Sequence, residues 1–134
     1  MNVLIADDDR VYSHLLMRQL KAHGVDSTVA YDAMQAFMVS ARIVPDAILL
    51  DVNMPGGTGL EVLKRLKQSS KTCMIPVIVI SAGTDPNLPF TVKGLGADAF
   101  LQKPIPFESL FSKLSQLIHD EASVGEKRPS KDPN

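Results

Sequence analysis

The sequence predicts a doubly wound α/β domain with a five-stranded parallel sheet, and three observations carry that prediction. Short apolar runs recur along the chain, at Val3-Leu4-Ile5-Ala6, Ala47-Ile48-Leu49-Leu50 and Val77-Ile78-Val79-Ile80. Continuous apolar runs of this length fit strands covered on both faces. Between them lie segments with apolar residues at helical spacing, and strands alternating with helices imply a parallel sheet joined by right-handed crossovers. The polar residues with chemistry to offer all follow the strands at the same end: Asp7 and Asp8, Asp51, Ser81 and Lys103. Sheets of this kind bind ligands beyond their carboxyl ends.

Taken in order, the first strand ends in Asp7, Asp8 and Asp9, and Asp9 or Asp8 is the natural N-cap of the helix that follows. That helix is expected to bury Val11, Leu15, Leu16 and Leu20 and to stop at Gly24. Capping explains one of the three acids and leaves two. Val25 to Ala30 contains Ser27 and Thr28, so it reads as a strand at the sheet edge. Asp32 and Gln35 have capping-box spacing before a helix carrying Ala33, Ala36, Phe37 and Ala41, which ends before Pro45.

The central strand then runs into Asp51, and Pro55, Gly56 and Gly57 turn the backbone out of the sheet. Thr58 and Glu61 repeat the capping spacing, ahead of a helix whose buried face is Leu60, Leu63 and Leu66. Gly56-Gly57-Thr58-Gly59 lacks a following Gly-Lys-Ser/Thr and reads as a turn, not a phosphate cradle. After the fourth strand and Ser81, the segment Thr84 to Leu95 is broken by Pro86, Pro89 and Gly94, so only a short helix starting near Pro89 or Phe90 is expected. Ala99 to Gln102 is the last strand. Phe107, Leu110, Phe111, Leu114 and Leu117 then mark an amphipathic helix with Pro106 at its first turn.

With 134 residues the chain reads as one domain over residues 1–119, followed by a polar tail or linker over 120–134 that is expected to be disordered. Apolar residues make up 45% and charged residues 22%, which is ordinary globular composition. A net charge of -1 gives no general attraction to nucleic acid or anionic membrane. The single cysteine, Cys73, has no internal disulfide partner, and His14, His23 and His119 stand apart from any ligand spacing. Met17, Met34, Met38 and Met74 read as core or rim filler. The first residues lack the basic and apolar regions of a signal peptide, and a cytoplasmic location is expected.

Three carboxylates at one end of a sheet repel each other; at an effective dielectric near 20, a pair about 4 Å apart is disfavoured by roughly 4 kcal/mol. A cation among them is therefore expected, and an all-oxygen site suits Mg²⁺ or Mn²⁺ shared with a phosphate. Lys103 offers an ammonium to pair with Asp51 or with a phosphoryl oxygen, and Ser81 offers a hydroxyl to the same oxygen. So surrounded, Asp51 is equipped as a nucleophile toward phosphorus.

The acid pair Asp7-Asp8, the run Asp51-Val52-Asn53-Met54-Pro55, Ser81-Ala82 and Lys103-Pro104, in this order and spacing, resemble the receiver domains of two-component response regulators over Asn2 to about His119. The resemblance implies a flavodoxin-like fold with strand order 2-1-3-4-5 and a phosphoacceptor at Asp51, loaded from the phosphohistidine of a sensor histidine kinase or a phosphotransfer protein. It further implies Mg²⁺ held by the side chains of Asp8 and Asp51 and the backbone carbonyl of Asn53, with Asp7 acting through water. Ser81 and Lys103 would hold the phosphoryl oxygens, and the Lys103-Pro104 bond would be cis. Ser81 and Phe100 would act as the switch, reshaping the face of the fourth helix, last strand and fifth helix toward a downstream protein target. On this reading the chain is no enzyme beyond its own phosphorylation and dephosphorylation, and its domain contacts neither nucleic acid nor membrane.

Three positions and one segment depart from the family pattern. Phe100 stands where many members have tyrosine, Thr58 replaces a common aspartate, and the prolines between Asp85 and Pro89 predict a shortened or displaced fourth helix. Gly83 leaves the phosphoryl site open to water. Two other functions fit the same residue types: a receiver-fold interaction module that takes no phosphate, and a phosphatase of the haloacid-dehalogenase type. The latter resembles the chain less, because its nucleophile lies in an Asp-x-Asp pattern near the first strand. A stand-alone regulator and the receiver end of a longer chain are both compatible with the sequence.

Overall fold

Each apolar run becomes a strand, and each strand is followed by a helix that covers one face of the sheet. The computed structural model of the chain describes residues 1–54 and 57–127. The elements are β1 (Asn2–Ala6), α1 (Arg10–Ala22), β2 (Asp26–Ala30), α2 (Ala33–Ile43) and β3 (Ala47–Asp51), then β4 (Asn53–Met54), β5 (Gly57–Thr58) and α3 (Gly59–Gln68). They continue with β6 (Val77–Ser81), α4 (Leu88–Gly94), β7 (Ala99–Gln102) and α5 (Phe107–Lys127). Five strands form one sheet in the order β2-β1-β3-β6-β7, parallel throughout. Counting only those five, this is the expected order 2-1-3-4-5, with the polar strand β2 at the edge.

The alternation of side chains along a strand sorts the core into two layers. Leu4, Ala6, Ile48, Leu50, Val77 and Val79 pack under α2, α3 and α4, while Val3, Ile5, Ala47, Leu49, Ile78 and Ile80 pack under α1 and α5. The buried lengths of β1, β3 and β6 leave no side exposed to water. At roughly 1.5–3 kcal/mol for each fully buried large aliphatic side chain, these three strands fix the register that brings Asp7, Asp51 and Ser81 to one edge.

Helix α1 is rotated from the expected face. Val11 is 82% exposed and Leu15 51%, while Ser13, Leu16 and Leu20 are buried and Tyr12 and Met17 are half-buried. Ser13 is drawn inward because its hydroxyl donates to the Asp7 carbonyl at 3.3 Å, which satisfies both groups beneath the sheet edge. The N-caps fall where expected. Asp9 accepts from the Tyr12 N–H, Asp32 from the Gln35 N–H and Thr58 from the Glu61 N–H.

Gly57 and Thr58, part of the stretch read as a turn, pair antiparallel with Met54 and Asn53. Pro55 and Gly56 themselves lie outside the described residues. Helix α4 is short and starts at Leu88, one residue before the expected Pro89, with no side chain capping it. Helix α5 continues to Lys127, beyond the boundary expected at His119. Residues from Asp120 onward include helix formers such as Glu121, Ala122 and Lys127, and α5 extends over them. Residues 128–134 of the predicted tail lie outside the described residues. Of the four methionines read as core or rim filler, Met17 packs half-buried against the core and Met34, Met38 and Met74 are exposed. Among the described residues no helix is long and apolar enough to cross a membrane.

Candidate functional site

The backbone brings three carboxylates to one point. Asp7 follows β1, tied to the end of β2 by its N–H to the Ala30 carbonyl at 3.0 Å, and Asp51 is the last residue of the adjacent β3. Asp7, Asp8 and Asp51 each present an oxygen to a common space in which those oxygens lie within 4.8 Å of one another. Asp7 is wholly buried, Asp51 is 6% exposed and Asp8 faces solvent. His14, His23 and His119 are all exposed, and the acid trio is the one potential metal cluster among the described residues.

Lys103 completes the group from the far side of the sheet. Its N–H donates to the Ser81 carbonyl at 2.8 Å, its bond to Pro104 is cis, and its ammonium donates to Asp7 Oδ2 at 2.9 Å. Asp51 Oδ2 is further away, at 3.6 Å. The sequence paired Lys103 with Asp51; the structure gives the closer partner as Asp7, whose burial leaves its charge more in need of compensation.

Hydrogen bonding divides the two acids. Both Asp7 oxygens are engaged, Oδ1 by the Asp9 N–H at 2.9 Å and Oδ2 by Lys103. Asp51 Oδ1 accepts the Asn53 N–H at 3.0 Å, which leaves Oδ2 with the ammonium at 3.6 Å. Burial pushes the Asp51 carboxyl up to about 6, opposed by the Asn53 N–H and reinforced by the charge of Asp7. Burial works against the Lys103 ammonium, yet its hydrogen bond to Asp7 and the charges of Asp7 and Asp51 outweigh that, and its pKa stands above the ordinary lysine value. One ammonium among three carboxylates leaves the cluster short of positive charge.

Ser81 ends β6 and is buried, one residue past Ile80, the register partner of Asp51. Its Oγ accepts the Gly83 N–H at 2.9 Å. Beyond it a cavity of about 300 Å³ opens between Asn53, Thr58, Ser81, Gly83 and Leu88. Gly83 is exposed, and a methyl group there would stand 3.3 Å from Ser81 Oγ. Phe100, in the neighbouring strand β7, is half-buried against the core layer that contains Val92 of α4.

Two residues of the site were missed in the sequence. Gly59 opens α3 against the end of β3, with its N–H on the Val52 carbonyl at 2.8 Å. A Cβ there would lie 2.3 Å from the Asp51 carbonyl oxygen, so only glycine lets the helix approach. Its position four residues before Leu63 in a helix start was the available signal. The other is Tyr12, whose ring lies beneath the Lys103 ammonium, 4.4 Å from Nζ to the centroid. It stands three residues after the N-cap Asp9, at the end of α1 nearest the acids.

Two buried acids and the exposed Asp8 thus stand with Lys103 at the carboxyl end of a doubly wound sheet, where β6 ends in Ser81. The chain belongs to the response regulator receiver domain family, whose model matches residues 3–115. It is the receiver domain of a response regulator of a two-component system, a signalling module. Among its relatives is response regulator MprA of Mycobacterium avium, 33% identical over 118 residues that make up 88% of this chain and 51% of that protein. The chain thus spans about half the length of the curated relatives it matches. Solved structures similar to it include the receiver domain of Francisella response regulator 1452, 28% identical with a TM-score of 0.83 over 89% of this chain and 97% of that one. The chemotaxis response regulator CheY4 of Vibrio cholerae is 28% identical, with a TM-score of 0.80 over 87% of this chain and 97% of that one.

Proposed function

We propose that the domain is a phosphorylation switch that accepts a phosphoryl group onto Asp51 from the phosphohistidine of a kinase or phosphotransfer protein in the cytoplasm. The observation that carries this reading is the difference between the two buried acids: both Asp7 oxygens are hydrogen-bonded, whereas Asp51 Oδ2 has only the Lys103 ammonium, at 3.6 Å. In the transfer, that oxygen forms a bond to phosphorus while the phosphorus–nitrogen bond of the donor breaks. The electron pair stays on the imidazole nitrogen, which takes up a proton.

Asp8 and Asp51 by their side chains, Asn53 by its carbonyl and Asp7 through water would hold a hard divalent cation such as Mg²⁺, for which Mn²⁺ could substitute. The donor set is all oxygen and carries more negative charge than Lys103 balances. When bound, such an ion would offset the acids and draw charge from the phosphoryl oxygens. Lys103 would move from its carboxylate partners to a phosphoryl oxygen, keeping its charge in the same small volume.

Ser81 links the chemistry to the surface. On phosphorylation its hydroxyl would stop accepting the Gly83 N–H and donate to a phosphoryl oxygen instead. That movement vacates space on the side of β7, where Phe100 packs, and favours an inward ring. The neighbouring α4, seven residues long and without a side-chain cap, would shift with it. The differential contact at Ser81 is what biases the two states, and the face of α4, β7 and α5 would carry the change to a protein target.

Acetyl phosphate and Mg²⁺ should add one phosphoryl mass to the intact protein, and Asp51→Asn should abolish the addition. An unchanged wild-type mass under those conditions would overturn the switch and favour an interaction module that takes no phosphate.

A further inference from the structure

We propose that Tyr12 is a positioning residue for phosphoryl transfer, its ring face holding the Lys103 ammonium over the acid cluster. The inference rests on Asp51 being the phosphoacceptor and adds a residue that acts on it through Lys103.

The first turn of α1 aims the ring. Asp9 Oδ1 accepts the Tyr12 N–H at 3.0 Å, which fixes the helix start directly after the acids. Lys103 Nζ then lies 4.4 Å from the ring centroid, well within the roughly 6 Å over which an aromatic quadrupole attracts a cation. The lysine side chain is 17% exposed, so water weakens that attraction little. The phenol oxygen, by contrast, is buried with no hydrogen-bond partner among the described residues. A buried hydroxyl left unpaired is unfavourable, so the position makes use of the ring and gains nothing from the hydroxyl.

The three contacts of the ammonium differ in what happens to them during transfer. Asp7 Oδ2 at 2.9 Å and Asp51 Oδ2 at 3.6 Å both compete with an incoming phosphoryl oxygen for its N–H donors. The ring attracts the charge without demanding any one N–H, and so leaves the donors free to change partner. A lysine stem has several rotatable bonds, and a face that confines it before the phosphoryl group arrives lowers the ordering required in the transition state.

The test is the rate of phosphorylation by acetyl phosphate with Mg²⁺, followed across acetyl phosphate concentrations. Tyr12→Leu should lower the maximal rate about three- to tenfold, the size of one partly desolvated cation–π contact, with little change in the half-saturating concentration. Tyr12→Phe should rescue the rate, because the ring is restored. The decisive pair is phenylalanine against pentafluorophenylalanine at position 12, which share a shape and oppose each other in quadrupole. The fluorinated protein should be as slow as Tyr12→Leu; a rate equal to that of Tyr12→Phe would overturn the role of the ring. No phosphorylation even of the wild-type protein would instead overturn the phosphoacceptor reading beneath it.

Discussion

The two ends of the sheet use the same chemistry to opposite effect. At the amino-terminal end, Lys67 of α3 donates to the Ile75 carbonyl at 3.0 Å, the Cys73 carbonyl at 3.3 Å and Asp98 Oδ2 at 3.3 Å. Asp98 Oδ2 also accepts the Val77 N–H at 2.8 Å, so one lysine and one acid tie α3, the start of β6 and the approach to β7 into a neutral knot. At the carboxyl end, one lysine faces three carboxylates, one of which keeps an oxygen without a close partner. Balanced charge there is a fastening; surplus charge here is a site. The lesson is that a lysine beside an aspartate says little until the remaining partners of each are counted.

Removing groups at either end should therefore move stability in opposite directions. The largest effect belongs to the packing that holds the site: Gly59→Ala places a methyl group 2.3 Å from the Asp51 carbonyl oxygen, against backbone that has nowhere to go. It should destabilise the fold by about 3 kcal/mol or more in denaturant unfolding, as overpacking against rigid backbone does.

Next is the charge of Asp51. Its folded pKa, about 6, lies above the ordinary carboxyl value near 4 of the unfolded chain. The folded form therefore holds the proton more tightly, and in metal-free protein the stability it confers is present below about pH 4 and lost as pH rises through about 6. Asp51→Asn has no charge to bury, so near pH 7.5 it should be more stable than wild type by up to about 3 kcal/mol, with the gain fading toward pH 4. Urea unfolding of both proteins across that range in the presence of a chelator reads the difference directly. A wild type whose stability rose relative to Asp51→Asn between those pH values would break the comparison.

The smallest effect is at the opposite end, where the sign reverses. Lys67→Met keeps the stem that packs beside Gly96 but removes the ammonium from two carbonyls and leaves Asp98 Oδ2 with only the Val77 N–H. Unfolding should show a loss of about 1–3 kcal/mol. A neutral or stabilising result would mean that the amino-terminal knot is also a site of surplus charge.

Much of this could be read from the residue order, for physical reasons that differ by element. β1, β3 and β6 are apolar on both faces, and no other environment suits such runs, so their burial and order were legible. The acids, Ser81 and Lys103 were legible because each stands where an apolar strand stops. The rotation of α1 was not, because Val11 and Leu15 also fall at helical spacing, and the inward side is seen only once Leu16 and Leu20 pack on the sheet and Ser13 meets the Asp7 carbonyl. Residues whose partners lie far along the chain were equally hidden. Tyr12 meets Lys103 and Lys67 meets Asp98 only after the sheet has formed. The helical stretch from Asp120 to Lys127 lacks an apolar period, and without one the residue pattern gives no reason to extend α5.

The surplus of negative charge around Asp51 is tested most directly by thermal unfolding at about pH 7.5 in rising Mg²⁺. Wild-type protein should gain about 1.4 kcal/mol once Mg²⁺ stands tenfold above its dissociation constant, and Asp51→Asn should gain far less at the same concentrations. Equal gains in the two proteins, or none in the wild type, would contradict the account.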